Sequence, residues 1–268
     1  MNKTALTILA AGTFTVVALW LLSDFAVYLT HQRTALLSKP PAHGTSFVIH
    51  PDLSRVHDST NVAAALKAII RRRFDKNGSA IFLQTLPDSR IHVVVPVTDP
   101  KAVTAAQSLV AAGGHLEFHL VAPDSDQIVK EGKIPPGYQL LQQPATSPSG
   151  NASREFIAVQ EAPAAGLTGN IVDKANVVLD AAGNPNVDFQ LNHKSAMIFA
   201  ELTRTNIGNR LAMILDGRLN SAPVIRSEIQ SGRAEISGSF DAHEALMLSI
   251  LIECPLPVPV TLEETKTF

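Results

Sequence analysis

The sequence predicts an α+β chain: an N-terminal transmembrane helix followed by two small α/β-sandwich subdomains. Three observations carry this. Thr4 to Ser23 hold no charge and are mostly apolar, and at about 1.5 Å per residue such a run spans about 30 Å, the hydrocarbon thickness of a bilayer. Between Thr45 and Val121 the hydrophobic pattern switches between period two and period 3.6 in the order β-α-β-β-α-β. A helical pattern stopped at Gly208, a buried run from Arg210 to Leu215 and an Asp216-Gly217 turn mark a second mixed unit.

The chain has 268 residues, 46% of them hydrophobic, enough for a sizeable core beside a membrane segment. A formal net charge of −2 gives no global attraction to nucleic acid. Cys254 is the only cysteine, so no disulfide forms within the chain. It ends an apolar helical run and is read as a packing residue.

Residues 1–30 are read as a transmembrane signal anchor. The apolar run is long for a signal-peptide core and lacks a convincing small-residue cleavage site, although a cleaved signal peptide is the competing reading. Trp20 and Tyr28 fit an interfacial belt. Lys3 lies before the run and Arg33 and Lys39 soon after it, so charge alone does not orient it. Residues 31–44, with Pro40-Pro41, form a short stiff spacer.

The first unit is expected at 45–122. A strand from Thr45 to Ile49 precedes a helix capped by Ser59 or Thr60, with Val62, Leu66, Ile69, Ile70 and Phe74 on its apolar side and a stop at Asn77-Gly78. Strands 80–85 and 90–95 flank the Pro87-Asp88 turn. Asp99 caps a second helix, with Pro100 at its first position, and His115 to Val121 closes the unit. That order is the ferredoxin-like split sandwich. Residues 123–165, rich in Pro, Gly, Ser and Gln, read as a linker, with a projecting hairpin from 138–142 and 155–160 turning at 147–151.

The second unit is expected at 166–264. It contains strands 176–179 and 186–191 around Gly183-Asn184-Pro185 and a helix from His193 to Ile207 capped by Asn192. The Asp216-Gly217 hairpin returns into 221–225, and a strand follows at 234–238. Asp241 and Glu244 form a capping box for a helix carrying Leu246, Met247, Ile250 and Leu251, and a last strand covers 258–262.

Leu167-Thr168-Gly169, the run from Ala200 to Ile225 containing Asp216-Gly217 and Ala222-Pro223, Glu235-Ile236-Ser237-Gly238 and Leu256-Pro257-Val258-Pro259 together resemble the head of the first periplasmic domain of the SecD family, in order and spacing. The first unit resembles the base of that domain more loosely, through Leu116-Glu117-Phe118. The resemblance implies that Leu167, Thr168, Gly169, Asp216, Gly217, Ala222, Pro223, Ile236, Gly238 and Pro257 are mainly structural. It implies a single-pass protein of the bacterial inner membrane with its soluble part in the periplasm, partnered by Sec translocase subunits or secretory polypeptides. In that family a head holding the emerging chain swings relative to the base, driven by proton flow through later membrane helices. No apolar run follows Leu262, so the motor is not expected in this chain.

The function expected is that of a membrane-anchored module that assists Sec-dependent export by binding translocating or unfolded polypeptide, or by docking on a Sec complex. The alternative is a structural or regulatory envelope protein reusing the fold. Phe189, Met197, Phe199 and Met213 are the candidate polypeptide-binding residues. His115, Glu117 and His119 alternate along one strand. No fourth ligand follows at a fixed spacing, so they are read as the solvated face of a sheet rather than a metal triad. Arg71, Arg72 and Arg73 are read as complementing the C-terminal end of their own helix dipole. No phosphate loop, nucleophile elbow or zinc-protease helix is present, and neither enzyme activity, cofactor, metal nor nucleic-acid binding is expected.

Overall fold

The computed structural model describes residues 37–54, 56, 61–142, 156–238 and 240–268. The membrane segment expected at 4–23, the Ser59 or Thr60 cap and the turn at 147–151 lie outside them. Among the described residues no helix is long and apolar enough to cross a membrane.

The base begins with β1 (Thr45–Pro51), α1 (Val62–Asn77), β2 (Phe82–Thr85), β3 (Ile91–Val95) and α2 (Pro100–Ala111). Helix α1 buries Val62, Leu66, Ile70 and Phe74 at four-residue steps, the stripe a helix presents to a core. It ends on Gly78 in the left-handed region, at φ 68. Asp99 accepts the Ala102 N–H and Pro100 opens α2, as the cap residues predict.

One strand departs from expectation. β4 (Leu116–Leu120) does not close this sheet; it pairs antiparallel with β9 (Leu211–Leu215). The strand beside β1 is β12 (Val260–Thr267), giving the antiparallel order β12-β1-β3-β2. The physical reason is the Gly113-Gly114 turn, which carries the chain out of the base before β4 starts. At Gly114, φ is +80 and an added Cβ would run into the Leu251 carbonyl, so only glycine makes this exit. The chain returns after Cys254, and its last strand fills the place beside β1.

Between exit and return lies the head. α3 (Ser125–Glu131), a helix that the sequence reading placed within a linker, leads into the hairpin of β5 (Tyr138–Gln142) and β6 (Phe156–Gln160). β7 (Val172–Leu179), β8 (Pro185–Leu191) and β11 (Arg233–Ile236) form one three-stranded antiparallel sheet, and β4, β9 and β10 (Arg218–Ser221) form another. α4 (His193–Thr205) starts on Asn192, whose side chain accepts the Ser195 N–H. α5 (Ala242–Glu253) carries the expected Asp241/Glu244 capping box.

α5 serves both halves. Ala245, Leu248 and Ile252 enter the head core with Val187 and Phe189. Ile250, Leu246 and Met247 pack into the base core with Leu66 and Ile70. A helix apolar around most of its circumference is what a position between two cores requires.

The polar join is equally specific. Arg73, 0% exposed, does not serve its own helix end, contrary to the dipole reading. Nε donates to Cys254 O at 2.8 Å, Nη1 to Leu109 O and Ala112 O, and Nη2 to Gly113 O. These are carbonyls at the C-terminal ends of α5 and α2, which have no helical partners of their own. Burial lowers Arg73 to about 10, with Cys254 and Asp216 opposing the shift, so it remains charged at neutral pH. Glu253 completes the join. Its carboxylate meets Arg72 and Lys76 of α1 at 2.7 Å each and accepts the Ala175 N–H of β7. Arg71 pairs with Asp75.

Replacing Arg73 by Met leaves the Cys254, Leu109 and Ala112 carbonyls facing an apolar side chain, while Gly113 O keeps the Leu256 N–H, and each unmet acceptor costs about 1–3 kcal/mol. Urea unfolding of Arg73→Met is expected to show a loss of at least about 3 kcal/mol; a change within experimental scatter would contradict the role given to Arg73.

Candidate functional site: the apolar cavity of the head

The two head sheets and α4 leave a cavity of about 280 Å³. Phe118 from β4, Phe199 from α4, and Leu211 and Met213 from β9 supply its apolar lining. Phe118 and Phe199 lie with ring centroids 5.0 Å apart at 48°, within the range of favourable tilted ring pairs. Phe189 sits against Phe118 at 6.3 Å.

The rest of the lining comes from the arc that joins β10 to β11, chiefly Pro223, Val224, Ile225 and Ile229, and from Ala234 and Glu235 of β11. Main-chain bonds strap the arc down: Leu211 N–H to Pro223 O, Gly208 N–H to Ile225 O and Ile225 N–H to Asn209 O, each 2.9 Å. Thr203, buried on α4, accepts the Ile229 N–H at 2.9 Å while its hydroxyl donates to Phe199 O. Val224 remains 51% exposed beside the cavity, and Arg226 and Glu235 give the rim its charges.

Of the expected polypeptide-binding residues, Phe199 and Met213 line the cavity. Phe189 supports it through Phe118. Met197 is 65% exposed on α4 and is absent from the lining. The sequence reading missed Phe118 and the arc; the apolar Val224, Ile225 and Ile229 between Pro223 and Gly232 were its available signal.

The motif residues hold the head together. Leu167 is buried and its carbonyl accepts the Phe118 N–H. Thr168 donates to Glu117, and Gly169 takes φ +81. Ala222 O accepts from Arg210 Nε. Ile236 is in the head core, Gly238 abuts the Phe240 ring, and Pro257 is exposed in the return to the base. Asp216 and Gly217 both have positive φ, 47 and 77, as a two-residue hairpin with this twist requires.

Asp216 does more than turn the chain. Its carboxylate accepts the N–H groups of Gly114 and His115 at 2.9 and 3.0 Å, fixing the hairpin to the exit from the base. His115 Nδ1 lies 3.7 Å from it. Burial alone would raise the Asp216 carboxyl, but His115 and the two N–H donors hold it below the usual range. Asp216 in turn raises His115, against partial desolvation. Among the described residues no group of three His, Cys, Asp or Glu side chains is placed to hold a metal ion. His119, expected on a solvated face, is 2% exposed, because the β5–β6 hairpin covers that side of the sheet through Ile157 and Val159.

The family model for the SecDF P1 head subdomain matches residues 141–258. SecD of Desulfurispirillum indicum is 35% identical over 213 residues, covering 77% of this chain and 40% of that protein. SecD of Sebaldella termitidis is 45% identical over 102 residues, covering 38% of this chain and 25% of that protein. The chain belongs to the SecD family. A solved chain of SecDF, described as a membrane component that enhances protein export, superposes with a TM-score of 0.61 at 26% identity, covering 82% of this chain and 98% of that one. The chain thus carries the SecD head and the mixed fold of small antiparallel sheets around it, while spanning well under two thirds of the length of its SecD relatives. β4 lies outside the head match, yet pairs with β9 within it.

Two predictions follow from the hairpin. Gly217→Val places a branched residue at φ 77, a strain of about 1–3 kcal/mol; an unchanged unfolding midpoint would contradict the turn geometry. Folded-state Asp216 and Glu253 are depressed, so their contribution is present above the unfolded carboxylate range and is lost as pH falls through the folded values. His115 is raised, so its contribution is full below about 6.5 and is lost as pH rises through its folded value. Stability measured by urea unfolding is therefore expected to be greatest in the mildly acidic window between these limits, with His115→Gln removing the decline on the alkaline side.

Proposed function

We propose that this chain is a membrane-anchored, SecD-like periplasmic module that assists Sec-dependent protein export, its head cavity receiving apolar stretches of translocating or unfolded polypeptide. The observation that carries the reading is the cavity itself: an aromatic and aliphatic lining, an exposed Val224 beside it, and a volume of about 280 Å³. Such a site suits one or two apolar side chains and makes few demands on sequence, since burial of apolar surface is non-directional. The base, with its β-α-β-β-α-β order and β12 as fourth strand, is read as ferredoxin-like.

On this reading the chain sits in the bacterial inner membrane through residues 4–23, with its Sec partners alongside and its soluble part in the periplasm. It acts by binding rather than by chemistry, and no cofactor or catalytic residue is assigned. The SecD relatives and the export-enhancing SecDF neighbour support it. The second reading, an envelope protein with a structural or regulatory task, reuses the same fold without loading the cavity.

Photo-crosslinking in native membranes separates them. A probe at Val224 is expected to give adducts with exported precursors or Sec subunits, while a probe at the distant Arg71 gives none above background. Adducts confined to envelope proteins outside that pathway, or none at normal expression, would favour the second reading.

A further inference from the structure

We propose that the outer edge of β11 receives an extended polypeptide segment as an added β-strand, with alternate side chains of that segment directed into the head cavity. This rests on the polypeptide-binding reading and names the conformation and pattern that the site selects. β11 is an outer strand of its sheet and pairs with β8. The bond from Leu191 N–H to Gly232 O, carried along the register from Arg233↔Gln190 to Ile236↔Val187, fixes which main-chain groups face β8. Opposed residues of an antiparallel pair alternate between bonded and non-bonded. Ala234 therefore turns its N–H and C=O toward Phe189, and Ile236 toward Val187. The main-chain groups of Arg233 and Glu235 point the other way, out of the sheet. Arg233 N–H goes to Ser231 Oγ at 3.2 Å, and no described residue takes Arg233 O, Glu235 N–H or Glu235 O.

This edge borders the cavity, because Ala234 and Glu235 are part of its lining. The other outer strand that lines it is β4, through Phe118, and there the Phe118 N–H is already taken by Leu167 O at 3.3 Å. β11 is thus the main-chain template beside the apolar lining. Its charged side chains leave the approach open. Arg233 lies 4.0 Å from Asp188, and Glu235 accepts from Asn186 Nδ2 at 2.8 Å, on the face opposite to Ala234 and Ile236, which pack on the head core. Charges on a short edge strand also oppose pairing with the same edge of another copy.

Edge and cavity together define the ligand. Side chains along an added strand alternate between its two faces, so those on the Ala234 side enter the cavity and those on the Glu235 side remain outside. The cavity volume, about 280 Å³, suits one or two inward side chains. The segment recognised is extended, apolar at alternate positions and polar between. Main-chain bonds supply affinity without reading sequence. A helical segment spends its N–H and C=O groups on itself and leaves Glu235 unmet, and proline is excluded where its missing N–H would have met Glu235 O.

Fluorescence anisotropy with the purified full chain tests this, the probe being a labelled peptide that alternates leucine and serine. Replacing its amides by esters, singly along the peptide, removes one N–H donor at a time. Affinity is expected to fall about three- to tenfold, the worth of one main-chain hydrogen bond, at alternate positions and not between them. The same residues rearranged to helical spacing should bind more weakly. On the protein side, Glu235→Pro removes the outward N–H and leaves the bonds to β8, since proline is tolerated where an edge N–H faces away from the sheet. It should bind the alternating peptide severalfold more weakly than Glu235→Ala, which loses the same carboxylate but keeps the N–H. The ester series decides the matter if Glu235→Pro fails to fold. Binding of both peptides with equal affinity and no effect of any ester would overturn the added strand while leaving polypeptide binding intact. Absence of binding by either peptide would overturn both.

Discussion

The guanidinium of Arg73 holds four main-chain carbonyls where the chain leaves and re-enters the base, sharing only Gly113 O, with the Leu256 N–H. Everything about how head and base relate depends on it. The chain leaves the base at Ala112-Gly113 and returns just after Cys254, and the one side chain binds both crossings. Leu256 N–H to Gly113 O at 2.7 Å then ties the crossings to each other. On the head side Asp216 takes the next two N–H groups of the exit. The neck is thus a polar clamp fixed from below by a cation and from above by an anion.

Apolar packing and charge agree across this neck. α5 places Ala245, Leu248 and Ile252 in one core and Ile250 in the other, while Glu253 at its end joins α1 to β7. Removing one of two linked bodies would expose the apolar side of α5 that faces it and strip partners from a buried carboxylate. The cavity gains from this: Phe118 lies on β4, the first strand after the neck, so its position is referred to the base through Gly114 and Asp216. A binding site built on strands tied to a rigid frame keeps its shape when empty, which lowers the ordering cost of filling it.

Local chemistry made much of this readable in the chain. Asp99-Pro100, Asn192 and Asp241 with Glu244 announced helix starts that the structure reproduces, and Gly78 and Asp216-Gly217 announced a stop and a turn. The placement of β4 was not readable, because an alternating strand does not say which sheet it joins. β4 follows α2 directly in sequence, yet its partner β9 lies some ninety residues on, a pairing that no local pattern encodes. Arg73 was misread for a related reason. In the run Arg71-Arg72-Arg73 only the helical phase distinguishes the buried member, one turn from Ile70, from its exposed neighbours. His119 looked solvated because alternation assigns a residue to a face, but what covers the face comes from the distant β6. Within the cavity Phe199 and Met213 were legible as apolar residues of the head. Phe118 and the Val224 arc were not, since their roles arise only when β4, α4 and β11 converge.

The central claim is that neck and α5 make head and base one cooperative unit. Hydrogen exchange of the full chain across a urea series below the unfolding transition tests this most directly, by comparing the slowest amides of β1 and β12 with those of β7 and β8. The account predicts that both sets converge on a single opening free energy with the same urea dependence. Two separate isotherms, one for the base strands and one for the head strands, would contradict it.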